Sequence, residues 1–437
     1  MSYHQLVEAQ REYFLSGATR SLEARKKTLT TLKNLLIENR QALIDAIYKD
    51  LRRQSTEVEA GLAEIDALLN GKLEEWGKPV KLDDVAPFDH SEDTAYLVRE
   101  PFGVVLVIAP WNFPLICSLP STHALAGGNT VILKPSELAP TFSGLIASLV
   151  KKYFDPKVFA VVEGAVPETT ELLQERFDSI MYTGNPQVAK IIMAAAAKNL
   201  TPVTLELGGK NPVLVEPDAD FDDAAEKIVF SKLFNAGQIC ISSDYVLTTA
   251  EAKPKLVDAL KKAFQKHAPL KESDNFARII HERHFDRISR LVKNTKGELL
   301  YEGDGGDVRE EKYIAPKVFG IEKGDSFLSE EIFGPILPIL TVKNFDESLA
   351  YVKAHEKPLG AYIFTKDNAK AHRFVAETSS GGVCVNDVMK HAFLNHAPFG
   401  GVGNSGVGKI NGRWGYNAFT HEKTVLLRNG LDVNIIL

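Results

Sequence analysis

The stretch GVVLVIAPWNFPLICSLPSTHALAGGNTVILKP, residues 103–135, decides the fold. It opens and closes on short runs, VVLVIAP and TVILKP, that are apolar at almost every position rather than at alternate ones. Strands buried on both faces read this way, whereas half-exposed strands alternate. Between the runs, STHALAGG suits a short helix. Strand, helix and strand in that order predict a parallel sheet covered on both sides. The same grammar continues outward: FAVVEG and SIMYTG are further strand-like runs, separated by the helix-compatible TFSGLIASLVKKYF and ETTELLQERF. Residues 102–120 are long enough to suggest a membrane span. Pro110, Asn112, Pro114 and Pro120 interrupt them, and backbone groups freed there have no partners in lipid.

A second α/β unit follows Glu206, carried by NPVLVEP, DYVLTT, a Lys-rich helix near 251–267, APKVF, LPILTV, AYIFTK and GGVCVND. Residues 4–76 read as helical, with leucines and isoleucines such as Leu32, Leu35, Leu36, Leu43 and Ile47 at helical spacing. Residues 83–100 are polar and then strand-like (AYLVRE), which predicts a surface segment or a hairpin. From Pro398 the chain is glycine-rich (PFGGVGNSGVGK) and ends in a strand-like TVLLRN. The expectation is two α/β lobes with a small appended element.

Composition narrows the function classes. The 437 residues are 44% hydrophobic and 25% charged, ordinary globular usage. Fifty-one Lys and Arg against 57 Asp and Glu leave a charge of −6, which gives no footprint for nucleic acid or an anionic membrane. Cys117, Cys240 and Cys384 are odd in number and far apart, so they form no disulfide framework and suit a reducing compartment. The first residues, MSYHQLVEAQREYF, read as an amphipathic helix without a secretory signal. A cytoplasmic protein is expected. No Cys/His set has zinc spacing, so no metal is expected. His281 and His284, in HERHF, read as part of a surface helix.

Ligands on parallel sheets bind beyond the carboxyl ends of strands, so the residues just after each run carry the chemistry. Cys240, in FNAGQICISSD, is either a buried structural thiol or a nucleophile whose pKa backbone N–H groups lower. Glu206 ends an apolar strand before Gly208-Gly209; it is a salt-bridged carboxylate, for instance with Lys210, or a general base. Asn112, between two prolines, is a turn former or a donor for a developing oxyanion. Gly184 follows a strand and opens a helix, a place where a dinucleotide phosphate can approach the backbone. Lys134 and Glu137, three apart after another strand, either hold ribose hydroxyls or lie in a solvated loop. Glu331 and Phe333 share a loop suited to a second ribose and its base, or to a turn with a core Phe.

Taken together, PWNFP (110–114), LKPSE (133–137), TLELGGKNP (204–212), GQIC (237–240), EEIFGP (330–335) and PFGGVGNSG (398–406) resemble the aldehyde dehydrogenase superfamily, in its order and spacing. The phrasing is most similar to the class 3 and fatty aldehyde dehydrogenase branch. The resemblance implies an α/β fold of two Rossmann-like parallel-sheet lobes, cofactor and catalytic, with a small oligomerisation element. It places an NAD(P)-binding domain at 1–207, with 83–100 giving a hairpin to oligomerisation. The catalytic domain would be 208–397, and 398–437 would contribute to oligomerisation.

The resemblance also implies roles for residues. Cys240 would attack an aldehyde, Asn112 and the Cys240 N–H would hold the oxyanion, and Glu206 would activate water. Lys134 and Glu137 would hold the adenosine ribose, Glu331 the nicotinamide ribose, and Phe333 would lie by the ring. Gly184, Asn185 and Val188 would face pyrophosphate and adenine. Where the family has glycine five residues after Gly184, this chain has Ala189, whose methyl would crowd strand or cofactor. Glu137 favours NAD, with NADP possible. The implied reaction is oxidation of medium- or long-chain aliphatic or aromatic aldehydes to carboxylic acids by a homodimer. Phe113, Tyr48 and Phe393 either line an apolar tunnel or, the commoner use of such residues, pack in the core. The alternatives are a CoA-acylating aldehyde dehydrogenase or thioesterase, and a non-catalytic structural protein on the same fold.

Overall fold

A computed structural model describes residues 2–82, 93–395, 397–428 and 431. Its first sheet has six strands in the order Gly406–Val407, Val203–Leu207, Ser179–Gly184, Val104–Ile108, Thr130–Lys134 and Phe159–Val161. All pairs are parallel except the first, where Gly406 lies opposite Glu206. The uniformly apolar runs are indeed covered on both faces. Because side chains alternate across a strand, Val105, Val107, Val131 and Leu133 face one core, with Leu29, Leu36, Ile47 and Phe142 from the N-terminal helices and the helix Pro140–Tyr153. Val104, Leu106, Ile108 and Ile132 face the opposite core, with Val7, Ile192 and Ala196.

Chain order along this sheet reverses at its middle. From Val104–Ile108 the chain runs outward through Thr130–Lys134 to Phe159–Val161, then crosses back to Ser179–Gly184 on the other side. The carboxyl ends of Val104–Ile108 and Ser179–Gly184 therefore flank a crevice at a topological switch point.

The second sheet has seven strands, in the order Glu298–Glu302, Lys317–Ile321, Ile336–Val342, Tyr245–Thr249, Pro212–Val215, Gly360–Phe364 and Gly382–Val385. Only the Glu298–Glu302 edge strand is antiparallel. That strand was not legible beforehand; its residues are largely exposed and it has little apolar patterning to read. A third sheet joins Val80–Leu82, Thr94–Pro101 and Thr420–Leu427, all antiparallel. The strand-like AYLVRE and TVLLRN pair with each other here. Residues 83–92 of the expected hairpin lie outside the described residues. Among the described residues no helix is long and apolar enough to cross a membrane.

Candidate active site

The loop Ala109–Pro114 leaves the switch point and is clamped from below. Arg53 and Glu57 form an ion pair whose side chains are only 3% and 2% exposed. Arg53 Nη2 donates to Asn112 O (3.1 Å) and Nε to Asn235 Oδ1 (3.0 Å), and the guanidinium lies 4.6 Å from the centre of the Phe113 ring. Glu57 Oε2 accepts from the amides of Leu115 (2.9 Å) and Ile116 (3.1 Å). Asn112 is thereby fixed by its backbone, and its Nδ2 donates to Gln238 O at 3.2 Å. An amide nitrogen carries two hydrogens, so one is left for the cavity.

The Cys240 loop starts with three consecutive left-handed residues, Asn235, Ala236 and Gly237 (φ 51°, 52° and 71°). Two are not glycine, a conformation held against an energetic cost by surrounding contacts. A Cβ at Gly237 would stand 2.3 Å from Gly334 O, so glycine is required for this loop to touch the 330–335 loop. Gln238 is wholly buried and tied on all sides: Nε2 donates to Asn235 O and Arg278 O (both 3.0 Å), and Oε1 accepts from Ile280 N (3.0 Å). Beyond Cys240, Asn211 Nδ2 donates to the carbonyls of Cys240 and Ser242, both at 2.9 Å.

Glu206 and Cys240 meet in this frame. Cys240 Sγ donates to Glu206 Oε1 at 3.4 Å, and Thr183 Oγ1 donates to Glu206 Oε2 at 3.3 Å. Burial pushes Glu206 from its ordinary 4.5 up to about 7, against the opposing effect of those two donors. The salt bridge considered for Glu206 is not formed. Lys210 instead pairs with Asp244 and donates to Phe327 O (2.8 Å) and Glu330 O (2.9 Å). Backbone N–H groups do not lower the Cys240 thiol pKa as expected. Burial, and then the Glu206 carboxylate, push it well above its usual value. A thiol of this kind needs a base to ionise, and the carboxylate of Glu206 is its hydrogen-bond partner.

The remaining candidates line the same cavity, of about 1030 Å³. Lys134 ends its strand, 3% exposed, with Nζ donating to Pro135 O (2.8 Å) and lying 3.4 Å from Glu137 Oε2. Gly184 ends its strand, and Asn185 caps the helix Pro186–Ala197 by accepting from Val188 N (2.9 Å). The Asn185 amide goes to Tyr182 Oη at 3.0 Å. Ala189 is buried in the core beside Ile192 and Tyr182 and is absent from the cavity wall, so its methyl faces the sheet. Glu331 sits over Gly208, where a Cβ would be 2.3 Å from Oε2. Burial first, then Asp244, push Glu331 up to about 8.

The cavity fits a dinucleotide. It combines a lysine and carboxylate pair, a helix start with its favourable dipole, and a glycine-floored second carboxylate.

Several residues were missed. His284 is not a surface residue: it lines the cavity, wedged edge-on between Trp111 (5.9 Å) and Phe333 (6.1 Å), with Nε2 2.9 Å from Phe333 O. Arg287, one turn on, donates to Glu331 O at 3.1 Å and to Ile332 O. His281 caps that helix through Nδ1 to His284 N (2.8 Å). Cys117 also lines the cavity, as do Phe113 and Phe393. Tyr48 does not; its hydroxyl donates to Asp274 at 3.3 Å. Cys384 is a core residue of its strand, 3.3 Å from His391 Nδ1. No group of three metal-ligating side chains is found among the described residues.

Comparison with known proteins adds an independent line. The model of the aldehyde dehydrogenase family matches residues 1–425. "Aldehyde dehydrogenase family 3 member H1" of Arabidopsis thaliana is 43% identical over 97% of this chain and 89% of its own. "Aldehyde dehydrogenase, dimeric NADP-preferring" of Rattus norvegicus is 41% identical over 98% and 94%. The substrate-bound Staphylococcus aureus AldH superposes with a TM-score of 0.94 at 34% identity, covering 98% of this chain and 94% of that one.

Proposed function

The chain belongs to the aldehyde dehydrogenase family, and from that premise we propose that it oxidises apolar aldehydes, medium- or long-chain aliphatic or aromatic, to carboxylic acids through Cys240. The observation that carries this reading is the Cys240 Sγ to Glu206 Oε1 hydrogen bond beside the free face of the Asn112 amide.

In the first step Glu206 Oε1 takes the thiol proton along that bond, and the thiolate attacks the carbonyl carbon. Asn112 Nδ2 and the Cys240 N–H hold the oxyanion of the resulting thiohemiacetal. A nicotinamide dinucleotide, when bound, supplies the two-electron acceptor that converts the thiohemiacetal to a thioester. Glu206 passes the thiol proton to solvent and, kept in place by Thr183, then takes a proton from water, whose oxygen attacks the thioester carbonyl; that proton returns to the departing Cys240 sulfur. The carboxylic acid leaves and the Cys240 thiol is restored.

For the cofactor, Lys134 and Glu137 would hold the adenosine ribose and Glu331 the nicotinamide ribose. Gly184, Asn185 and Val188 would lie by the pyrophosphate and adenine, and Phe333 by the ring. NAD is preferred because Glu137 would repel a 2′-phosphate; NADP is accepted as the poorer partner. Residues 1–207 form the cofactor domain and 208–397 the catalytic domain. Residues 83–100 and 398–437 serve a homodimer, consistent with the dimeric relative. The substrate side of the cavity is walled by Phe113, Ile116, Phe234, Ile239, Met389 and Phe393, which supports an apolar chain. Absorbance of reduced cofactor with acetaldehyde, octanal, hexadecanal and benzaldehyde tests this. Octanal is expected to turn over faster than acetaldehyde; equal or faster acetaldehyde oxidation refutes the apolar preference.

A further inference from the structure

The loop that carries Cys240 is held by side chains rather than by a ladder. Residues 240–243 belong to no helix or strand, so their carbonyls need partners from elsewhere. Each finds a buried side-chain donor. Asn211 Nδ2 donates to the carbonyls of Cys240 and Ser242 (both 2.9 Å), Tyr362 Oη to Ile241 O (2.6 Å) and Lys232 Nζ to Ser243 O (2.8 Å). Asn211 is in turn oriented by Gly360 N, which donates to its Oδ1 at 2.8 Å. The Cys240 N–H, by contrast, meets no acceptor among the described residues.

Tyr362 does more than fill one of these places. It is wholly buried on the strand Gly360–Phe364, and its hydroxyl reaches back over Gly360, where a Cβ would stand 2.4 Å from Oη. Glycine there leaves the hydroxyl its path to Ile241. The amide of Met389 donates to the same oxygen. Met389 lines the cavity in a left-handed conformation (φ 60°), which a residue other than glycine keeps only when its contacts enforce it. One phenol oxygen thus ties the peptide after the nucleophile to the cavity wall.

We propose that Tyr362 is a positioning residue for this reaction: by fixing the Ile241 carbonyl against Met389, it keeps the Cys240 N–H aimed at the oxyanion of the thiohemiacetal. This rests on the proposed function and deepens it. A preorganised donor stabilises an oxyanion because it need not reorient during the reaction. Loosening the loop therefore slows steps that form an oxyanion and spares those that do not.

The test compares two reactions of the same thiol. Acylation by p-nitrophenyl acetate, followed as single-turnover release of p-nitrophenolate, passes through a tetrahedral oxyanion. Alkylation by iodoacetamide does not: the sulfur displaces iodide and the thiol proton goes to solvent. Peptide mapping assigns the alkyl group to Cys240. In Tyr362→Phe the ratio of acylation to alkylation rate is expected to fall about tenfold, short of the roughly 10²–10³ lost when an oxyanion donor is deleted outright. Gly360→Ala, which pushes the hydroxyl aside without deleting it, should lower the ratio in the same direction. Equilibrium binding of NADH, read by its fluorescence, should be unchanged and shows that both variants fold. NAD-dependent octanal oxidation by the wild type reports the underlying reaction separately. A ratio unchanged in the variants, or acylation and alkylation slowed alike, overturns the proposal.

Discussion

Replacing Glu206 by Gln removes the group proposed to deprotonate both thiol and water. The structure holds this carboxyl at about 7 instead of 4.5, chiefly by burial. With that value roughly one molecule in eleven is ionised at pH 6 and ten in eleven at pH 8, so base-dependent hydrolysis rises about tenfold across that interval. An unperturbed carboxylate would already be ionised at pH 6 and give a flat profile. The assay uses p-nitrophenyl acetate without cofactor. An activated ester acylates a thiol directly, so the slow phase after the p-nitrophenolate burst measures hydrolysis of the acetyl-enzyme alone. The wild-type slow phase should climb with pH and level off near pH 8. In Glu206→Gln it should be slower by about 10²–10⁴-fold and lose the climb. A flat wild-type profile between pH 6 and 8, or a climb that survives the substitution, refutes the reasoning.

Three further outcomes are expected. Glu57→Gln leaves Arg53 buried without its counter-charge, which should cost about 3–5 kcal/mol of stability in chemical denaturation and lower kcat as the Asn112 loop loosens. Glu331 has a folded-state pKa raised to about 8, so the stability it permits is fully present below its unfolded value of 4.5 and is lost as pH rises toward 8. Glu331→Gln should therefore flatten the fall in melting temperature over that window, at the expense of cofactor affinity. Glu137→Gln should raise the NADP-to-NAD ratio of kcat/KM several-fold, because a carboxylate no longer opposes the 2′-phosphate; an unchanged ratio would place the ribose elsewhere.

Much of this was legible in the chain because the deciding signals are local. A strand such as Val104–Ile108 announces itself by being apolar on both faces, and the residues that follow it must lie at the sheet's carboxyl edge. Asn112 and Glu206 were read that way, one just past a run and the other near the end of one, whereas Cys240 precedes its strand and was read from its loop. What stayed hidden is what the tertiary fold brings together. Arg53 and Glu57, four apart at a helix start, look like an exposed pair until the Asn112 loop closes over them. His284 neighbours the core positions Phe285, Ile288 and Leu291, but only the approach of Trp111 and Phe333 draws its ring into the cavity. The raised Cys240 pKa was misjudged for the same reason: loop amides are visible in sequence, whereas burial beside a carboxylate is not. Lys210, four residues on, was one partner considered for Glu206, yet its ion-pair partner Asp244 is 34 residues away.

The most direct test of the central claim is the intact mass and peptide map of Glu206→Gln after incubation with octanal and NAD. The account predicts that one octanoyl group per chain accumulates slowly, on the peptide containing Cys240, because solvent can take the thiol proton in place of Glu206 whereas hydrolysis of the thioester is blocked. Octanoyl on Cys117, or undiminished steady turnover with no adduct at Cys240, would contradict it.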